Sequence, residues 1–112
     1  MASLIDVTDF SFDAEVLKND LLVIADFWAE WSAPCQALEP LLKQMADQYQ
    51  GFLKVVKVDI ESNPVTTSTY QVLTLPTLIL FKNGVEVERM DGNQARQTLA
   101  SRVNFYLREF AK

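Results

Sequence analysis

Two hydrophobic periods alternate along this chain. Residues 21–29 (LLVIADFWA) are an almost unbroken apolar run. A strand buried on both faces reads this way, as in a parallel sheet covered by helices. Residues 53–58 (LKVVKV) and 77–81 (TLILF) are also strands, and residues 3–7 (SLIDV) suit a short edge strand. Between these runs the period lengthens. Phe12, Val16 and Leu17 share one helical face over 11–19, with Ser11 as the N-cap. Leu38, Leu41, Leu42, Met45 and Tyr49 recur at helical spacing through 34–49, and Gly51 stops that helix. Pro40 lies inside it and removes one backbone bond, so a kink is expected there. Ser62-Asn63-Pro64 opens another helix with Pro64 at its first position. Lys82-Asn83-Gly84 reads as a hairpin turn, after which residues 85–90 (VEVERM) alternate and pair back. A last helix turns Ala95, Leu99, Val103, Tyr106 and Phe110 toward the core. The predicted order is β-α-β-α-β-α-β-β-α. That is an α/β fold, a central mixed sheet with helices on both faces.

Composition narrows the function classes. The chain has 112 residues, 49% of them apolar, which suits one compact domain with a real core. A net charge of −5 argues against nucleic acid and against an anionic membrane surface. No apolar run approaches a membrane span. The start, MASLIDVTDF, lacks a basic region followed by an apolar one, so no secretory signal is expected. One cysteine excludes an internal disulfide, and the absence of histidine leaves no basis for a zinc site or a Ser-His-Asp triad.

Three stretches nonetheless carry chemistry. The first is WSAPC at 31–35, where a buried strand ends and a helix begins. Unpaired N–H groups and the positive end of the helix dipole meet there. In the plain reading Ser32 is an N-cap whose hydroxyl accepts the Cys35 amide, because Pro34 has no N–H, and Cys35 is a small buried apolar residue. The second is Asp26, inside the strand read as buried on both faces. A buried carboxylate needs a partner, and Lys57 in the neighbouring strand is the expected one. The pair is either structural or a proton-handling group near Cys35, since burial raises a carboxyl pKa and a nearby lysine opposes the rise. The third is TLPTL at 74–78, with Pro76 at the mouth of a strand. Either an ordinary loop proline or a cis peptide bond before Pro76 accounts for it.

Together these residues resemble the thioredoxin family. VIADFWAEWSAPC is similar to the family's D-F-W-A-x-W-C-G-P-C strand and site. KVVKVDIESNP is similar to the strand with the internal lysine, and LPTLILFKNG to the cis-proline strand and its turn. Pro40 matches the kinking proline and Gly92 the glycine beside the site. The resemblance runs along nearly the whole chain, in order, and implies a single thioredoxin domain over 1–112. It implies protein-disulfide exchange: an exposed thiolate attacks a client disulfide, and a second, more buried thiol resolves the mixed disulfide. Carried over, Cys35 is the resolving thiol, and Asp26 and Lys57 handle its proton. Trp31, Ala33, Pro34, Thr74, Leu75, Pro76 and Gly92 form the docking surface. No cofactor and no metal is implied. The implied partners are protein clients with disulfides or exposed apolar segments, and a thioredoxin reductase. The protein is expected to be a cytoplasmic monomer, although a removed transit peptide would leave no trace.

Departures from the family pattern decide the functional question. Ser32 stands where the attacking cysteine belongs, Ala33 and Thr74 where glycine is frequent, and Gln36 where lysine or arginine is common. The nucleophile in thiol exchange is a thiolate, and a serine hydroxyl near pH 7 is not ionised. The chain as written is therefore expected not to cycle as a dithiol reductase. Two readings stand beside this one. In one, Ser32 marks a redox-inert binding or holdase module that uses the apolar docking face; in the other, Cys35 acts as a monothiol.

Overall fold

The structure, a computed structural model, describes residues 4–110. Strand β1 is Ile5–Val7 and β2 is Leu22–Trp28, with a short π-type segment at Asp13–Leu17 between them. Helix α1 (Ala33–Gln48), β3 (Leu53–Asp59), α2 (Pro64–Thr69), β4 (Thr77–Lys82), β5 (Val85–Asp91) and α3 (Gly92–Phe110) follow. The five strands form one sheet in the order β1-β3-β2-β4-β5. β1, β3 and β2 run parallel, β4 is antiparallel to β2, and β5 is antiparallel to β4.

Alternation along β2 explains why that run is apolar on both faces. Leu22 and Ile24 pack with Leu38, Leu42 and Met45 of α1 and Leu99 and Val103 of α3. Val23, Ala25 and Phe27 turn to the opposite layer, with Phe12, Val16 and the partly buried Tyr70. Helices therefore cover both faces, and α1 lies on the side to which Leu22, Ile24 and Asp26 point.

Two expectations need correction. The first helix does not span 11–19, and Ser11 is not its N-cap. Thr8 Oγ1 accepts the Ser11 N–H at 3.2 Å while Ser11 Oγ accepts the Thr8 N–H at 2.8 Å. This reciprocal pair is a capping box that begins the turn at Thr8. The segment ends early because the Asn19 N–H closes a tight turn on the Val16 carbonyl and Asn19 Oδ1 takes the Leu21 N–H, turning the chain into β2. Phe110 does not reach the core either. It lies 41% exposed at the end of α3, stacked on Tyr106 and beneath the Lys82 ammonium.

Asn83 and Gly84 form the turn between β4 and β5, both with positive φ, as a two-residue hairpin loop requires. α2 is anchored from a distance. The Asp9 carboxylate accepts the N–H groups of Val65 (3.2 Å) and Thr66 (2.8 Å) and the Thr66 hydroxyl (2.6 Å). Among the described residues, no helix is long and apolar enough to cross a membrane.

Candidate functional site

The C-terminal end of β2 delivers the chain to the start of α1. Ser32 has extended backbone (φ −90°, ψ 111°), and its Oγ accepts the Cys35 N–H at 3.4 Å. Pro34 occupies the first turn, where a missing N–H is harmless. Gln36 ties the preceding loop down by donating from Nε2 to the Glu30 carbonyl at 2.5 Å. Ser32 is 6% exposed and Cys35 is 3% exposed, so the one thiol lies behind the serine as a free, buried cysteine.

Under this helix start, β2 and β3 pair so that Asp26 stands beside Lys57. Helical spacing places Cys35 and Glu39 one turn apart above them. Asp26, Trp28, Glu30, Cys35, Gln36, Glu39 and Lys57 line a cavity of ≈ 230 Å³. Asp26 is 1% exposed. Burial pushes its carboxyl up to about 7; the Lys57 ammonium opposes that rise and Glu39 adds to it.

The expected Asp26–Lys57 ion pair is not what this cavity contains. Lys57 Nζ bonds to Glu39 Oε1 at 2.5 Å and lies 3.9 Å from the centroid of the Trp28 ring. Asp26 Oδ1 is buried without a hydrogen-bond partner, as is Trp28 Nε1. The lysine chooses the carboxylate that keeps some solvent. Ionised Glu39 is cheaper to maintain than an ionised, fully desolvated Asp26. That bond from Lys57 in turn holds Glu39 below the usual carboxylate range, against its partial burial.

The second part of the site comes from the loop entering β4. The Leu75–Pro76 peptide bond is cis. The Gly92 N–H donates to the Pro76 carbonyl at 3.0 Å, and the Thr77 hydroxyl donates to the Thr74 carbonyl at 2.7 Å. Pro34, Pro76 and Gly92 line one small cleft with Ala37, Leu38 and Arg96. Pro76 is buried, Leu75 half-buried, and Ala33, Pro34 and Thr74 are exposed. Trp31 stands out from the surface at 67% exposure and lines neither this cleft nor the Asp26 cavity. Six of the residues singled out by sequence fall into two groups, while Trp31, Ser32, Ala33, Thr74 and Leu75 line neither space. Asp26, Lys57 and Cys35 line the cavity, while Pro34, Pro76 and Gly92 meet at the cleft.

Sequence reasoning missed Glu39 and the ring of Trp28. A signal for Glu39 was present: it sits four residues after Cys35, between Leu38 and Leu42, on a face that otherwise enters the core.

The profile of the family described as Thioredoxin matches residues 3–104. A protein named Thioredoxin from Rickettsia typhi is 44% identical over 99 residues, covering 88% of this chain and 94% of that one. One of the same name from Pyropia yezoensis is 40% identical over 105 residues, covering 94% and 98%. Another, from a Synechocystis species, is 40% identical over 107 residues, covering 96% and 100%.

Proposed function

The chain belongs to the thioredoxin family, and from that premise we propose that it is a thioredoxin-type module whose dithiol exchange is switched off at Ser32. In this reading Trp31, Ala33, Pro34, Thr74, Leu75, Pro76 and Gly92 hold an extended segment of a protein client, and the chain acts as one domain and as a monomer. Asp26 and Lys57 remain as the proton-handling groups beside Cys35, in a reducing, cytoplasmic compartment. The observation that carries the reading is at the start of α1. Ser32 Oγ, at the position the family pattern gives to the nucleophile, caps the helix by accepting the Cys35 N–H, and Cys35 is the one cysteine of the chain.

The chemistry follows from electron balance. Reducing a client disulfide by dithiol exchange uses two thiols, which leave as one disulfide. The first attacks as a thiolate and expels one client thiolate. The second loses its proton, attacks the mixed disulfide and expels the other. A neutral hydroxyl at position 32 cannot take the first step, and Cys35 alone cannot supply both sulfurs. A binding role without exchange is the second reading. It draws on exposed apolar side chains, Trp31 at 67% and Leu73 at 91% exposure.

Reduction of a protein disulfide by dithiothreitol, followed with the chain and with Ser32→Cys, tests the assignment. The chain is expected to leave the rate at the level of dithiothreitol alone. Ser32→Cys is expected to raise it clearly above that level. A cysteine variant no faster than the serine form would sink the reductase lineage of the site and leave the binding role. Catalysis by the serine form itself would sink the claim that exchange is switched off.

A further inference from the structure

The cavity beneath α1 contains a choice that its cross-strand geometry does not explain. Asp26 and Lys57 are register partners in adjacent parallel strands. Neighbouring strands lie about 4.8 Å apart, so the lysine can reach the buried carboxyl. Pairing there would relieve the desolvation of that carboxyl when ionised. Instead the ammonium bonds to Glu39 at 2.5 Å over the Trp28 ring, and Asp26 Oδ1 has no hydrogen-bond partner. Glu39 is itself held in place, since its other oxygen, Oε2, lies 3.6 Å from Lys43 Nζ one turn along α1.

We propose that Glu39 is a positioning residue: its carboxylate anchors the Lys57 ammonium on the α1 side of the cavity and withholds that charge from the Asp26 carboxyl. The Asp26 carboxyl near Cys35 thereby holds its proton to a higher pH than it would with the ammonium beside it. The groups that face it are Lys57 from β3, Cys35 and Glu39 from α1, and Glu30 from the loop before α1. From β4 its register partner is Leu78, which brings no charge. Lys57 is the one cation among the described residues lining the cavity, so its position decides whether the Asp26 carboxylate is matched. The direction of the Asp26 shift agrees. Burial is its largest cause, and the opposing effect of Lys57 falls short of cancelling it.

The value of this arrangement for catalysis rests on the reading of Asp26 as the group that exchanges a proton with Cys35. The arrangement itself does not, so its test is made on the chain with Ser32 in place. Carboxyl-carbon NMR follows the ionisation of Asp26, assigned by its loss in Asp26→Asn. Five forms are compared: the chain, Glu39→Gln, Glu39→Ala, Lys57→Met, and Lys57→Met with Glu39→Ala. Amide spectra and urea unfolding confirm that each is folded, and Lys57→Gln replaces Lys57→Met if the latter is not.

Glu39→Ala should release the lysine toward Asp26 and lower the Asp26 midpoint by about one pH unit or more. Glu39→Gln, which keeps an acceptor oxygen for the ammonium, should lower it less. Without Lys57, Glu39→Ala should move the midpoint by less than about half as much, because only the direct charge of Glu39 remains. Equal shifts with and without Lys57 would overturn the proposal, and so would no shift with Lys57 present. A failed Ser32→Cys assay leaves these outcomes untouched, and an unmoved Asp26 midpoint leaves that assay untouched.

Discussion

At position 26 a carboxyl lies 1% exposed, with one oxygen unpartnered. Its pKa stands at about 7 in the folded chain, against an ordinary 3.8. Between those two values the folded state binds more protons than the unfolded state. Stability from this group is therefore full at low pH and is lost as pH rises from about 4 to about 7. A difference of about three pH units corresponds to on the order of 4 kcal/mol, at 1.36 kcal/mol per unit. Asp26→Asn should remove that dependence. In urea unfolding the variant should be more stable than the parent at pH 8.5 by roughly 2 kcal/mol, since the buried amide has its own desolvation cost. At pH 4.5 it should be equal or slightly less stable. A variant destabilised at both pH values would mean that Asp26 is a well-paired structural ion. Cys35, 3% exposed behind Ser32, makes a second expectation. An aromatic disulfide reagent should leave it unlabelled in the native chain and label the one thiol per chain after denaturation. Rapid native labelling would revive the monothiol reading.

Helices and turns show how local chemistry sets the frame for that residue. α1 continues from Ala33 to Gln48 through Pro40, and its first two turns carry both the Ser32 cap and the Cys35–Glu39 spacing that roofs the cavity. The β4–β5 hairpin depends on Gly84 in a different way. Its φ is +78°, and an added Cβ would sit 2.7 Å from the Leu17 carbonyl oxygen. Gly51, after α1, has φ +91° and nothing within 4 Å of the same added atom. Gly51→Ala should therefore cost about 1 kcal/mol from backbone strain alone. Gly84→Ala should cost roughly 2–4 kcal/mol, because backbone must also move at the segment that packs Val16 into the core. Thermal unfolding of both variants checks this, and equal losses would show that the Leu17 contact yields without cost. At this scale the sequence was legible wherever the signal was local. The β2 run, the Pro64 start and the Asn83-Gly84 turn lie where periodicity and turn chemistry put them. The first helix did not, because the Thr8–Ser11 capping box moves its start and the Asn19 bond closes it early.

Across the whole molecule, the sheet separates two apolar layers, and α1 and α3 close the one that contains Asp26. Leu42 lies fully buried at 0% exposure in that layer, whereas Leu73 is 91% exposed. Leu42→Ala should lower unfolding free energy by roughly 3 kcal/mol, through lost transfer energy and the cavity left behind. Leu73→Ala should stay within about 0.5 kcal/mol. Urea unfolding decides it, and a loss below about 1 kcal/mol at Leu42 would mean that α1 contributes less to this layer than its burial implies. By itself the sequence determined the kinds and order of most elements, the helix cap at Ser32 and the absence of a second thiol. Periodicity, capping and residue identity are properties of neighbouring positions, and they survive without knowledge of the fold. Only the tertiary structure decided the strand order β1-β3-β2-β4-β5 and the partner of Lys57. An ion pair forms where charge, solvent and distance agree. Glu39 is 18 residues from Lys57 along the chain, yet it meets the ammonium at 2.5 Å because α1 folds over β3.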